Sequence, residues 1–171
     1  KKDINIVIER DGRIEIGGEV VLAGELRARI ERAMVDQSRY SVFQLVDVML
    51  NGESTRCIKM LYRLESEGLE PNIIIWALVR EWEQLWNLKA AEQQGQPIQW
   101  QRFGIWRNKQ AVYQNAMQRL SLQQLESIQH ALSQADLAFK QQVISRPYVK
   151  LCHLCMMFMG VNLANIPLLD K

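Results

Sequence analysis

Phe43-Gln-Leu-Val-Asp-Val-Met-Leu-Asn-Gly52 opens the stretch that decides how this chain folds. A charged segment follows, then Glu67-Gly68-Leu-Glu70-Pro71, then an apolar segment carrying Arg80-Glu81. Glycine ends a helix because it enters the left-handed region without steric penalty. Proline suits the first helical turn, where its missing amide hydrogen has no partner to lose. The stretch therefore reads as short helices closed by glycine and opened by proline. At 100° per residue, Ile74, Ile75, Leu78, Val79, Trp82, Leu85 and Trp86 share one broad arc of the helix that Pro71 opens. Burying such side chains stabilises a fold by about 1.5–3 kcal/mol each. Ile73 and Trp76 fall outside that arc.

The same pattern extends in both directions. Ser41 with Gln44 makes a capping-box sequence before the helix that Gly52 stops. Ser54 opens a second helix ending near Gly68, and the third runs from Pro71 to about Ala91. Gly95 and Pro97 mark a loop. A fourth helix is expected over Trp106 to Arg119. A second capping box, Ser121 with Gln124, starts a fifth helix reaching about Val143. Its stripe is Leu122, Leu125, Ile128, Leu132, Ala135 and Phe139, with Asp136 and Lys140 placed for a helical ion pair of about 0.2–0.5 kcal/mol. Pro147 opens a sixth helix, ending at Gly160. The expected fold class is mainly α, a bundle of about six helices over residues 35–171.

Residues 1–34 differ in kind. Ile4, Ile6 and Ile8 alternate with polar residues, Asp11-Gly12 supplies a tight turn, and Ile14 and Ile16 resume the alternation. A β-hairpin is expected there, interrupted by Gly17-Gly18 and followed by a short helix over Gly24 to Met34. This piece is similar in pattern to the periplasmic part of ExbD/TolR-type proteins, on Asp11-Gly-Arg-Ile-Glu-Ile-Gly-Gly18 and Glu25-Leu-Arg-Ala-Arg-Ile30. It is read as an appendage, a remnant of a preceding domain, or a fusion.

Composition narrows the function classes. The chain has 171 residues with 21 basic and 19 acidic side chains, a net charge of +2. That balance makes no strong electrostatic case for nucleic acid. No apolar run is long enough to cross a bilayer, and no secretory signal pattern begins the chain. Three cysteines do not make a disulfide framework, so a reducing cytoplasm is the simpler setting. No phosphate-cradling Gly-x-x-x-x-Gly-Lys-Ser/Thr loop and no Gly-x-Ser-x-Gly elbow occurs. No catalytic, cofactor or metal residue is assigned.

Four groups remain as candidates. Trp76 lies off the buried arc, and tryptophan is enriched as an interface anchor. Arg102 and Arg107, with Lys109, interleave with Trp100, Phe103 and Trp106, and arginine can stack on aromatics or pair with carboxylates. Either a recognition surface or a polar rim around core aromatics accounts for that pattern. Arg56, Lys59 and Arg63 form a basic stripe that could approach phosphate, or a solvated helix face beside Glu53, Glu65 and Glu67. Cys152-His-Leu-Cys155 invites a zinc or redox reading, but a zinc site needs about four ligands. Packing of small core thiols is the simpler account.

The order and spacing of several elements resemble the C-terminal collar domain of the bacterial DNA polymerase III clamp-loader delta subunit. The resemblance rests on Phe43, Asp47 and Leu50-Asn-Gly52, on Leu61 and Leu64, and on Glu67-Gly68 before Glu70-Pro71. It continues through Arg102, Ile105-Trp106-Arg107, Arg119-Leu120-Ser121 and Asp136 with Lys140, covering roughly residues 35–165. It implies a non-catalytic domain of a polymerase holoenzyme that assembles with gamma/tau and delta-prime type subunits in the cytoplasm. It also implies that the sliding clamp is reached only through a domain absent here, and DNA only indirectly. Trp76, Arg102 and Arg107 are then the expected subunit contacts. A direct nucleic-acid-binding helical module and a Cys-x-x-Cys metal or redox protein are the alternatives.

Overall fold

The computed structural model describes residues 6–8, 14–16, 19–21, 25, 28, 32 and 41–161. The chain divides into two compact units, residues 1–40 and 41–171. In the first, β1 (Ile6–Ile8) pairs antiparallel with β2 (Ile14–Ile16), Ile6 opposite Ile16. β2 pairs in turn with β3 (Glu19–Val21), Ile14 opposite Val21. The hairpin expectation ended at Gly17-Gly18; the chain instead turns back after β2 and adds a third strand. Of the expected short helix, only Glu25, Ala28 and Arg32 are described, all helical. The ExbD/TolR likeness falls mostly outside the described residues.

The second unit is helical: α1 over residues 41–50, α2 (Ser54–Ser66), α3 (Pro71–Gln93), α4 (Gln110–Arg119), α5 (Leu122–Lys140) and α6 (Pro147–Phe158). Among its described residues there is no strand. α3 lies against α4, α5 and α6, while α6 also packs on α2 and α5. Ile74, Ile75, Leu78, Leu85 and Leu88 of α3 are buried, with Val79, Trp82 and Trp86 packed partly buried beside them. This is the arc that helical periodicity defines.

Local chemistry sets the helix ends. Pro71 and Pro147 stand in the first turns of α3 and α6. Ser121 Oγ accepts from Gln124 N–H at 3.2 Å while Gln124 Oε1 accepts from Ser121 N–H at 2.8 Å, the reciprocal capping box. Two expectations need correction. The fourth helix does not start at Trp106: a 3₁₀ turn, Arg107–Lys109, precedes α4, and another spans Trp100–Phe103. The fifth ends at Lys140, not Val143. Gln142 takes φ 55, its N–H donates to Phe139 O at 3.1 Å, and Val143 N–H donates to Ala138 O at 3.1 Å. Those bonds close the helix as a glycine would, with glutamine in the left-handed position.

Candidate interaction surface

The outer face of α3 carries uncovered apolar surface, as do Phe43, Tyr62 and Leu137 on other helices. Trp76 is 64% exposed and Ile73 39%, whereas Ile74 and Ile75 between them are wholly buried. Arg80 lies one turn beyond Trp76 on the same side and is also exposed. Trp82, less than two turns from Trp76, faces inward: its Nε1–H donates to Leu125 O at 2.7 Å and its ring stacks on Trp86 at 5.5 Å.

A second exposed feature is the segment from Trp100 to Lys109. It is held at several points. Ile105 is buried, and its N–H donates to Trp100 O at 3.1 Å. Gln84 of α3 donates from Nε2 to Phe103 O at 2.6 Å. Lys109 forms an ion pair with Asp47 of α1. Trp106 has extended backbone angles, φ −70 and ψ 154. Neighbours in an extended segment point opposite ways, so burying Ile105 turns Trp106 outward; it is 80% exposed. Arg102 and Arg107 flank it, both exposed and, among the described residues, without an ion pair.

Trp106 also walls a cleft of about 190 Å³ shared with Arg80, Glu81, Gln84, Lys109 and Tyr113. The Tyr113 hydroxyl donates to Glu81 Oε2 at 2.6 Å. Burial raises the Glu81 carboxyl above its ordinary range, opposed by the Tyr113 hydrogen bond and Arg80, while Asp47 adds to the rise. Burial and the Glu81 charge push the Tyr113 phenol up as well. The cleft is a hydrogen-bonding recess with charges of both signs.

The structure thus sorts the candidates. Trp76, Arg102 and Arg107 are all on the surface. Arg56, Lys59 and Arg63 are exposed on α2, but Arg56 pairs with Glu53 at 3.2 Å and Arg63 with Glu67 at 2.8 Å. Asp136 and Lys140 form the expected ion pair at 2.5 Å. Cys57 of α2 meets Cys155 and Cys152 of α6, an approach that sequence spacing does not show. Cys57 and Cys155 are fully buried. A hydrogen bond that the Cys155 thiol donates to Cys57, then burial, push Cys155 well up; burial pushes Cys152 to about 11. Thiols held protonated in this way are poor nucleophiles and poor ligands. Among the described residues no group of three or more His, Cys, Asp or Glu could hold a metal ion. None of the described helices is long and apolar enough to cross a membrane.

Sequence reasoning placed Trp106 and Arg80 in informative motifs without assigning either to the surface set. The missed signal at Trp106 was the adjacent Ile105, whose burial fixes which way the tryptophan points.

Comparison with known proteins bears on the helical unit. Residues 42–165 match the family model described as processivity clamp loader gamma complex DNA pol III C-term. A protein of Escherichia coli (strain K12), DNA polymerase III subunit delta, is 30% identical over 140 residues, covering 81% of this chain and 40% of that protein. The DNA polymerase III subunit delta of Haemophilus influenzae is 30% identical over 133 residues, 71% of this chain and 39% of its own length. The chain therefore spans about two-fifths of the length of these relatives.

Proposed function

The chain belongs to the family of clamp-loader C-terminal domains found in the DNA polymerase III delta subunit, and from that premise we propose that it is a non-catalytic assembly domain. Its partners in this reading are gamma/tau and delta-prime type subunits, in the cytoplasm, and its contribution to replication is to hold a delta-like subunit in the clamp loader. Neither ATP hydrolysis nor primer extension resides in these residues. The observation that carries the reading is Trp76: a large aromatic, 64% exposed, on a helix whose opposite face is the core. Interface energy concentrates in such anchors, while neighbouring arginines make the rim. Arg102 and Arg107 are the proposed rim residues. Pull-down of gamma/tau and delta-prime type subunits by Trp76→Ala tests this. Affinity should drop about thirtyfold or more, the equivalent of about 2 kcal/mol, with helical circular dichroism unchanged. Normal binding by the folded variant would move the interface to another face.

One observation favours a second reading, direct contact with single-stranded nucleic acid. Trp106 is 80% exposed on an anchored segment, between two arginines that have no ion pair among the described residues. An aromatic platform beside cations is the usual means of sequence-tolerant strand binding, each stacked base being worth about 1–3 kcal/mol. Binding of a labelled single-stranded oligonucleotide that weakens steeply with salt, and is lost in Trp106→Ala, would support it. Absence of salt-dependent binding would remove it.

A further inference from the structure

Arg119 ends α4 and does something no other described arginine does. Its Nη2 donates to Leu50 O at 2.9 Å and to Phe158 O at 3.1 Å. Leu50 is the last helical residue of α1 and Phe158 the last of α6. The final carbonyls of a helix have no intrahelical donor and carry the negative end of its dipole. One guanidinium therefore serves two helix ends that are far apart in sequence. Burial lowers the pKa of Arg119, yet its side chain stays inside, with Nε buried and unpartnered.

The two ends are built alike. Gly52 and Gly160 both have φ 77. At each, the glycine N–H and the next N–H return to the helix: Gly52 to Met49 O and Glu53 to Val48 O, Gly160 to Met157 O and Val161 to Met156 O. Both glycines also make room for the same side chain. A Cβ at Gly52 would stand 3.0 Å from Arg119 Nη1; one at Gly160 would stand 3.0 Å from Arg119 Cγ and 3.1 Å from Cδ. Gly68, which ends α2 at φ 74 with the same bonding pattern, has nothing within 4 Å of such a Cβ. At the two ends that touch Arg119, a side chain would strain the backbone and also crowd the arginine, which would have to give way.

We propose that Arg119 is a shared clasp, so that the ends of α1 and α6 open as one cooperative unit. Local opening in proteins proceeds in such units, and hydrogen exchange reads them amide by amide. Two carbonyls held by one group are linked, because moving the guanidinium off one end moves it off the other. The clasp is a positioning device: it acts within the chain and ties α6 to α1.

Hydrogen exchange on the full chain tests this through Gly160→Ala, with Gly68→Ala as control and Arg119→Lys as a second route. Gly68→Ala adds backbone strain alone and should speed exchange only around residues 67–69. Gly160→Ala also displaces Arg119, so exchange at Gly52 and Glu53 should rise about tenfold together with that at Gly160 and Val161. Lysine lacks the planar fork and should speed both ends by a common factor. The proposal is overturned if Gly160→Ala changes only its own helix end, as the control does. Gly160→Ala retains Arg119 and disturbs the backbone at one helix end only, so it decides the matter even where Arg119→Lys does not fold.

Discussion

Trp82 and Trp76 stand less than two turns apart on α3 and meet opposite conditions. Trp82 is partly buried, stacked on Trp86 and bonded through its indole N–H to α5. Trp76 is 64% exposed. Residue type does not separate them; helical phase does. Six residues at 100° place the second ring far round the cylinder from the first. One face of α3 is therefore spent on the fold, and the other stays exposed. If that division is real, the two tryptophans must fail in different assays.

The largest expected effect is on the inner face. Trp82→Ala removes a stacked ring and leaves the Leu125 carbonyl without its indole donor. Destabilisation of about 3 kcal/mol is expected, the lower end for tryptophan truncation because Trp82 is not fully buried. Urea denaturation should show the midpoint falling with the slope unchanged. A loss below about 1 kcal/mol would mean that the stack and the hydrogen bond contribute little, and the contrast with Trp76 would collapse. Trp76→Ala should change the same midpoint by no more than about 0.5 kcal/mol, the usual range for surface substitutions, with its effect appearing in partner affinity instead. An unfolded Trp76→Ala would place both tryptophans in the core.

What the sequence reveals and what it hides follow from the physics of each feature. The α3 arc and the α5 stripe repeat every 3.6 residues over many turns, so their buried faces are legible in the sequence alone. The capping box at Ser121 and Gln124 and the prolines at 71 and 147 act within a few residues and are equally plain. The 3₁₀ turns at Trp100–Phe103 and Arg107–Lys109 are not, because three or four residues hold no period. The early end of α5 hides behind Gln142, since nothing local marks a glutamine that will take a left-handed conformation. Contacts that join distant segments are invisible for a different reason. Arg119 binds backbone carbonyls, which have no sequence signature. Cys57 meets Cys155 only because α2 packs on α6. Of the candidate surface, Trp76 is readable from helical phase, whereas the exposure of Trp106 depends on the burial of its neighbour.

The cleft between α3 and α4 offers a test of intermediate size, because it lies between the spent and unspent regions. Glu81 is held above its ordinary 4.5 mainly by burial, against the Tyr113 hydrogen bond. Folded Glu81 then keeps its proton to higher pH than unfolded Glu81. Across the window from 4.5 up to the raised value, the folded chain binds more protons than the unfolded chain. Stability from this group is therefore fully present below that window and is lost as pH rises through it. Glu81→Gln has no proton to release and still accepts from Tyr113. The stability of the natural chain relative to Glu81→Gln should fall as pH rises from about 4.5, measured by denaturant midpoints at a series of pH values. A difference that stays flat with pH would mean that the carboxylate is well solvated and that the cleft belongs to the open surface, like Trp76.

The smallest effect is expected on α2, where arginines are exposed but already engaged. Arg56 and Arg63 each face a glutamate close by in sequence. Exposed pairs of this kind contribute about 0–1 kcal/mol, since water screens them and holding two long side chains costs entropy. Arg102 and Arg107 carry the same charge without an ion-pair partner among the described residues, so any phosphate or carboxylate that approaches has only solvent to displace. The contrast predicts unequal outcomes from equal changes in charge. Replacing Arg56 and Arg63 together by glutamine should shift stability by about 0.5 kcal/mol or less and leave single-strand affinity and its salt dependence as they were. Replacing Arg102 and Arg107 together should lower the salt slope by about one for each phosphate no longer engaged, if the chain binds a strand at all. Should the α2 pair alter the slope and the two arginines beside Trp106 not, nucleic acid would lie along α2, with the glutamates released as it binds. Should neither alter it while Trp76→Ala still loses its partners, the unspent surface of this domain would serve protein alone.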